Sequence, residues 1–354
     1  MSSAAAPEPF VSAGSTVRDL AGMRIAVTGA TGFVGRHVCR RIVGRGGEVV
    51  AVVRTQSDTS VLDGCPVDFA RADLRSGTGL AQALSGVSVV VHLAGVVRAR
   101  SRAEFECGNT AVTRTLTRVV AGLPAPPRLV LCSSMAAGGL TSSLGPPRGE
   151  DDPAPPVSWY GRSKLDSEAA VRERADRIHA VIVRPPIVYG PGDPAFVPVL
   201  AAMVRAGVAA KPGWGPRRYS LLYVDDLADA LVLAALYGNP VRAGVAHSGV
   251  YHLSDGLSYA FEDLLGTAAT VLGHRLPRVV AVPGPLVRAA GTLAQLVGRP
   301  FGRLPLLNRD KAREAVCSGL LTVQRARREL GFAPKVAFAE GFHKAWEAGD
   351  AAVG

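Results

Sequence analysis

Tyr160 and Lys164 stand four residues apart in Tyr160-Gly161-Arg162-Ser163-Lys164. On a helix that spacing puts both side chains on one face, separated by about 6 Å along the axis. A phenol beside a fixed ammonium can move a proton near neutral pH. The ammonium favours the phenolate, so Lys164 is expected to make Tyr160 easier to deprotonate. Tyr160 would give its proton to a carbonyl oxygen in a reduction and accept one in an oxidation. Upstream, Thr28-Gly29-Ala30-Thr31-Gly32-Phe33-Val34-Gly35 follows a β-branched run and opens a helical pattern. That is the context of a dinucleotide-binding turn. Gly29 allows the tight turn, Gly32 lets backbone approach a pyrophosphate, and Gly35 permits close helix–strand packing. Thr31, Phe33 and Val34 lie where a helix N-terminus offers amide donors. Together the two segments point to hydride transfer with matched proton transfer.

Further candidates fall at strand ends. The second strand closes with Val52-Val53-Arg54-Thr55-Gln56-Ser57, with no acid before Asp58. An acid there would bind a ribose 2′-hydroxyl, whereas an arginine accommodates a 2′-phosphate. Arg54 therefore favours NADP(H) over NAD(H). Asp73-Leu74 follows the third strand, where Asp73 either accepts a hydrogen bond from adenine or caps a helix. His92-Leu93-Ala94-Gly95 closes the fourth, and the small residues Ala94 and Gly95, with Leu93, would let a cofactor pass close to backbone. The fifth ends Leu131-Cys132-Ser133-Ser134-Met135-Ala136. A hydroxyl at that edge can hold and polarise a substrate oxygen; Ser134 is the first choice and Ser133 the near alternative. Cys132, inside an apolar strand, reads as an inert packing residue. No G-x-S-x-G elbow surrounds either serine, which argues against a hydrolase.

The elements that must position these groups are legible as an alternation. Strand runs at Arg24–Thr28, Val49–Arg54, Val67–Arg71, Val87–Leu93, Arg128–Ser133 and Ala180–Arg184 alternate with helical patterns, among them Phe33–Arg45, Asn109–Ala121 and Tyr160–Arg174. Several of these strands are nearly all apolar, as strands buried on both faces should be, and their alternation with helices means βαβ units and a parallel sheet. The expected fold is α/β, a Rossmann-type doubly wound parallel sheet with a smaller, discontinuous C-terminal substrate domain. Residues 22–189 plus 221–254 form the first domain and residues 190–220 plus 255–350 the second, after a flexible tail at 1–21. Leu221–Leu236 and Val250–Ser254 are expected to return to the sheet.

Composition narrows the class. With 354 residues, 48% hydrophobic and 19% charged, the chain is globular. Its formal charge of +11 comes from 35 arginines and five lysines against 29 acids. The arginines are scattered, with no stripe of the kind a nucleic-acid surface needs, so phosphate-bearing small molecules are the expected partners. Cys39, Cys65, Cys107, Cys132 and Cys317 lack the spacing of a disulfide framework or zinc site, so no metal is expected and a cytoplasmic, reducing compartment fits. No apolar run reaches the ~18 residues of a transmembrane helix. The nearest, Val279–Val297, is broken by Pro283, Pro285, Arg288 and Gln295. It reads as a pocket-lining helix rather than a membrane-surface one, with Val279, Val280, Pro283, Leu286, Val287, Leu293 and Leu296 motivating an apolar substrate.

These residues resemble the extended short-chain dehydrogenase/reductase family, also called the NAD-dependent epimerase/dehydratase family. The likeness covers roughly residues 23 to 346 and adds Arg184-Pro185-Pro186-Ile187-Val188-Tyr189-Gly190-Pro191-Gly192 and Tyr223-Val224-Asp225-Asp226 to the motifs above. The resemblance implies Ser134, Tyr160 and Lys164 as the catalytic set, with Lys164 also holding the nicotinamide ribose. It implies Asn109 near the active site and Pro185 to Val188 beside the nicotinamide. Dimers through two helices are common in the family, which makes a homodimer the analogy. Family 4,6-dehydratases carry an Asp-Glu pair where Met135-Ala136 stand here. Nucleotide-sugar epimerases place an arginine where Tyr219 stands, although Arg217 and Arg218 immediately precede it. Arg54 and the apolar Leu221-Leu222 are more similar to the branch of 3β-hydroxysteroid dehydrogenases and dihydroflavonol reductases. Ser133, Met135, Asn109 and Tyr219 complete the candidate substrate contacts. The expected activity interconverts a ketone or aldehyde and an alcohol on a small, largely apolar substrate. A nucleotide-sugar epimerase with tightly bound NAD and a non-catalytic NADP-sensing protein are the alternatives.

Overall fold

The structure is a computed structural model that describes residues 20–140, 145–152, 155–298, 305 and 307–350. Nearly all of the tail expected at residues 1–21 lies outside the described residues. The strands are β1 (Arg24–Thr28), β2 (Glu48–Val53), β3 (Asp68–Arg71), β4 (Val89–His92), β5 (Arg128–Cys132), β6 (Ala180–Arg184), β7 (Ile187–Tyr189), β8 (Val208–Pro212), β9 (Arg218–Tyr219), β10 (Leu221–Tyr223), β11 (Val250–His252), β12 (Tyr259–Ala260) and β13 (Arg278–Val282). The helices are α1 (Phe33–Val43), α2 (Leu80–Ala83), α3 (Arg102–Phe105), α4 (Val112–Gly122), α5 (Trp159–Arg172), α6 (Phe196–Arg205), α7 (Val224–Tyr237), α8 (Phe261–Leu272), α9 (Gly284–Gly298), α10 (Arg309–Ala315), α11 (Gln324–Leu330) and α12 (Phe338–Asp350).

Seven strands form one sheet in the order β3-β2-β1-β4-β5-β6-β11. Every pairing in it is parallel. The strand order reverses between β1 and β4, which opens a crevice at the carboxyl edge, where ligands of doubly wound sheets bind. The inner strands are apolar because both faces are covered: Val181, Ile182 and Val183 are wholly buried, whereas the edge strand β3, Asp68–Arg71, is mostly exposed. One face packs on α1, α7 and α11 through Val38, Ile42, Leu227, Leu231 and Leu330. The other packs on α2, α4 and α5 through Leu80, Leu116, Val120 and Val171.

A third core gathers Tyr189, Val197, Leu200, Tyr223, Leu264, Leu265, Phe338 and Phe342 from β7, β10, α6, α8 and α12. Val250–His252 joins the main sheet beside β6, in line with the sequence. Leu221–Leu236 does not: three residues pair with β7 in a separate ribbon and the rest form α7. The reason is length. A strand spans only about 5–6 residues, so a sixteen-residue apolar run that must lie on a sheet does so as a helix.

Candidate active site

The glycine loop has the backbone that its sequence demands. Gly29 has φ +72°, a conformation that disfavours side chains, and a Cβ there would come 2.8 Å from the Ala94 nitrogen. A Cβ on Gly35 would overlap the Gly29 carbonyl oxygen. The Gly32 N–H donates to that oxygen at 3.0 Å, and Gly32 is itself the cap of α1. No side chain caps α1 and no acid lies in its first turn. The amides beginning at Phe33 and Val34 therefore stay available to an anion, with Thr31 beside them. This cradle fits a dinucleotide pyrophosphate.

Arg54 is exposed and closes a turn with Ser57, whose hydroxyl accepts the Arg54 N–H at 3.2 Å. Arg71, paired in register with Val53, donates to the Thr55 carbonyl at 2.6 Å. A second guanidinium thus adjoins the Arg54 turn, which sequence reading missed because only strand pairing joins the two. Asp73 caps a local turn instead of a helix, accepting from the Arg75 N–H at 2.8 Å and the Ser76 hydroxyl at 3.0 Å. These hydrogen bonds, led by the Arg75 amide, hold its carboxyl below the usual range. Leu74 follows in the same turn.

At the reversal point His92 is buried between the hydroxyls of Thr28, 2.7 Å from Nδ1, and Thr113, 3.1 Å from Nε2. Burial lowers its pKa to about 3, so it is neutral. The Leu93 N–H donates to the Thr28 carbonyl at 3.1 Å and the Ala94 N–H to its hydroxyl at 3.3 Å. A Cβ on Gly95 would lie 2.6 Å from Asn109 Oδ1. The Asn109 amide is fully engaged: it accepts from the Val96 N–H at 2.8 Å and donates to the Val96 carbonyl at 3.0 Å and the Ser163 hydroxyl at 2.9 Å. It ties the loop after β4 to α5, which corrects its candidacy as a free substrate contact.

Ser134, Tyr160 and Lys164 converge at the end of β5. The Tyr160 hydroxyl lies beside Ser134. Lys164 lies one turn along α5, and its ammonium donates to the Cys132 carbonyl at 2.6 Å. The expected lowering of the Tyr160 pKa gives way to a rise. Burial is the main cause that pushes the phenol above its ordinary value; Glu314 and Cys132 add to it and Ser134 opposes it. Burial also lowers the Lys164 pKa. The Lys164 ammonium is directed at a backbone carbonyl, and desolvation dominates at the phenol. Burial raises the Cys132 thiol pKa as well, which leaves it un-ionised.

Ser133 is spoken for. Its hydroxyl donates to Glu168 Oε1 at 2.5 Å, and the same carboxylate takes a bidentate pair from Arg184, Nε at 2.8 Å and Nη2 at 2.6 Å. All three are buried, so Ser133 belongs to the floor of the site and not to its surface. Glu168 continues the spacing of Tyr160 and Lys164 by another four residues, a signal the sequence did carry. Met135 packs on Gly319, and Tyr219 forms a bridge with that same glycine, so both belong to one wall. Burial pushes the Tyr219 hydroxyl up to about 12. The Pro185 carbonyl accepts the Met135 N–H at 2.9 Å, and Val188 lies half-buried in β7.

Sequence reading missed α10 entirely. Asp310 is buried and its carboxylate accepts the N–H groups of Trp159 at 2.6 Å and Tyr160 at 3.1 Å, at the first turn of α5. Glu314 accepts from the Ser158 hydroxyl at 2.6 Å and from Lys311 at 2.7 Å. The Lys311 ammonium lies 4.7 Å from the centre of the Tyr160 ring. No short-range motif joins residues 150 positions apart. The apolar pocket expected from the 279–297 stretch is also corrected: Val287 is buried, but Val280, Leu286, Leu293 and Leu296 are exposed.

Residues 25–244 match the family model described as the NAD dependent epimerase/dehydratase family. The ceramide reductase of Caulobacter vibrioides is 31% identical over 82% of this chain and 83% of its own length. The 2-alkyl-3-oxoalkanoate reductase of Stenotrophomonas maltophilia is 29% identical over 91% and 98%. The crystal structure of gox2253 superposes with a TM-score of 0.74 at 26% identity, covering 93% of this chain and 98% of that one. With its glycine cradle, its β5 serine and its Tyr160–Lys164 helix, the chain belongs to the NAD-dependent epimerase/dehydratase family of extended short-chain dehydrogenases/reductases, NAD(P)-dependent oxidoreductases and epimerases.

Proposed function

We propose that this protein is an NADP(H)-dependent reductase that interconverts a ketone or aldehyde and an alcohol on a small, largely apolar substrate. The observation that carries the reading is the pairing of Tyr160 and Lys164 one turn apart on α5 at the carboxyl edge of the sheet, with the Lys164 ammonium on the Cys132 carbonyl and Tyr160 beside Ser134. The names of the two reductases above, whose substrates are lipid-like, support it. When bound, the nicotinamide supplies or accepts the hydride. Gly29, Thr31, Gly32, Phe33, Val34 and Gly35 hold the pyrophosphate, and Leu93, Ala94, Gly95, Pro185 and Val188 line the way to the nicotinamide. Arg54 and Arg71 grip the 2′-phosphate, with Asp73 and Leu74 beside the adenine.

Ser134 donates to the substrate carbonyl oxygen, and Tyr160 gives that oxygen a proton as the carbon is reduced. A raised pKa keeps the phenol protonated at neutral pH, which suits the reductive direction. Lys164 holds its ammonium on the Cys132 carbonyl and presents its remaining donors to the cofactor ribose. Residues 190–220 and 255–350, apart from α11 on the face of the main sheet, supply the substrate-facing part. The epimerase reading is the weaker one. Arg218, the nearer of the two arginines to the Tyr219 position, is held by Ser258 through two hydrogen bonds at 2.6 Å and 2.8 Å, and Arg217 gives its Nε N–H to the Pro212 carbonyl at 2.8 Å.

The test has two stages. Fluorescence titration should give tighter binding for NADPH than for NADH, and Arg54→Ala should remove the difference; equal or tighter NADH binding in the parent overturns the phosphate assignment. A ketone screen then reads NADPH oxidation. Tyr160→Phe should lower kcat by about 10²–10⁴ with cofactor affinity kept. Undiminished turnover in Tyr160→Phe refutes the catalytic assignment.

A further inference from the structure

Residues 264–309 contain six arginines, one histidine and no acid. Helix α9 lies in this stretch. Its inner side is seated on α10: Val287 and Gly291 are buried, and a Cβ on Gly291 would come 2.7 Å from the Ala312 side chain. Its outer side is apolar as well. Leu286, Leu293, Leu296 and Val297 recur at helical spacing on one face and are 58%, 62%, 54% and 60% exposed. Ala289 and Ala290 fill the gap between them, and Arg288 is exposed beside the stripe.

We propose that the outer face of α9 is a docking surface for an anionic lipid bilayer. Leucines at helical spacing beside the exposed Arg288, on a helix that carries no acid, match the boundary between acyl chains and negative headgroups, which takes up the apolar side chains and pairs with the cation. A second copy of this chain fits less well, because a two-fold contact through α9 would bring Arg288 towards its own copy with no acid on the helix to pair it. No helix among the described residues is long and apolar enough to cross a membrane, so the contact is peripheral. The surface adjoins the active site. Gln295 of α9 donates to the Arg100 carbonyl, in the loop after β4, at 2.8 Å, and α10 joins the inner side of α9 to the first turn of α5. Docking through α9 therefore brings the crevice close to the lipid, whatever the reaction performed there.

Flotation of the full chain with vesicles tests this without any substrate. Vesicles of phosphatidylcholine with about a third phosphatidylserine should carry the protein, and phosphatidylcholine alone should carry much less. Leu286→Ser combined with Leu293→Ser and Leu296→Ser should lower the bound fraction at least about tenfold while the circular-dichroism melt stays unchanged, since the replaced side chains are exposed. Should the triple variant fail to fold, Arg288→Glu should by itself weaken binding to the anionic vesicles. Absence of flotation, equal flotation with neutral vesicles, or a variant that folds and floats like the parent overturns the proposal. So does sedimentation showing a parent dimer that the triple variant abolishes, which would assign the face to a second copy.

Discussion

Replacing Glu168 by alanine should destabilise the protein sharply, because the carboxylate is the shared acceptor of a buried network. Its side chain is 1% exposed and that of Arg184 5%. The substitution strands the guanidinium that it pairs through two hydrogen bonds, and it removes the acceptor of the Ser133 hydroxyl. Leaving one partner of a buried pair uncompensated costs about 3–5 kcal/mol. At about 2.1 cal/mol/K per residue, the unfolding entropy of a 354-residue chain is roughly 0.7 kcal/mol/K. The melting temperature should therefore fall by about 4–7 °C. Removing both charges together, as Glu168→Met with Arg184→Met, should restore most of the loss, since no unpaired buried ion then remains. Urea unfolding of the parent, both single variants and the double closes the cycle. A Glu168→Ala protein that melts within about 1 °C of the parent would refute the reasoning. A double variant whose loss is the sum of the singles would do the same.

Three other outcomes follow from the same geometry. Gly35→Ala puts a methyl into the Gly29 carbonyl oxygen and should lower NADPH affinity at least about 30-fold, or roughly 2 kcal/mol; fluorescence titration matching the parent would show that the loop is not the cofactor cradle. Asp310→Ala withdraws the acceptor of two amides at the start of α5, a loss like that of a helix cap at about 0.5–2 kcal/mol. Hydrogen exchange should then quicken at Trp159 and Tyr160, and unaltered exchange would sink this assignment. His92 and His252 are buried neutral, with pKa values lowered by burial to about 3 and about 4. Their unfolded values are near about 6.5, so below that pH the unfolded chain takes up protons that the folded chain refuses, and stability falls as pH drops towards 4. By pH 5 each contributes a loss of up to about 2 kcal/mol relative to neutral pH, opposed by buried carboxylates such as Asp310 and Asp226 whose pKa values burial raises. A His92→Gln variant whose urea midpoint changes between pH 7.5 and 5 just as the parent's does would contradict the burial of a neutral ring there.

The sequence by itself determined whatever depends on near neighbours. Strand runs from Arg24 to Arg184 placed the first six strands of the sheet within a residue or two. For the inner five the reason is that a strand buried on both faces can hold little but apolar residues, while β3 at the edge is mostly exposed. The glycine spacing defined the cradle, since only residues without Cβ fit where Gly29 and Gly35 meet their neighbours. The four-residue interval set Tyr160 and Lys164 on one helix face. Tertiary structure decided what depends on burial and on partners distant in the chain. It turned the Lys164 ammonium to the Cys132 carbonyl and surrounded the phenol so that desolvation, not the nearby cation, sets its pKa. It drew Ser133 and Asn109 into the supporting network, brought Asp310 and Lys311 to Tyr160 from 150 residues away, and left the leucines of α9 facing outward. Periodicity shows that a helix has an apolar face, but only the packed chain shows whether anything covers it.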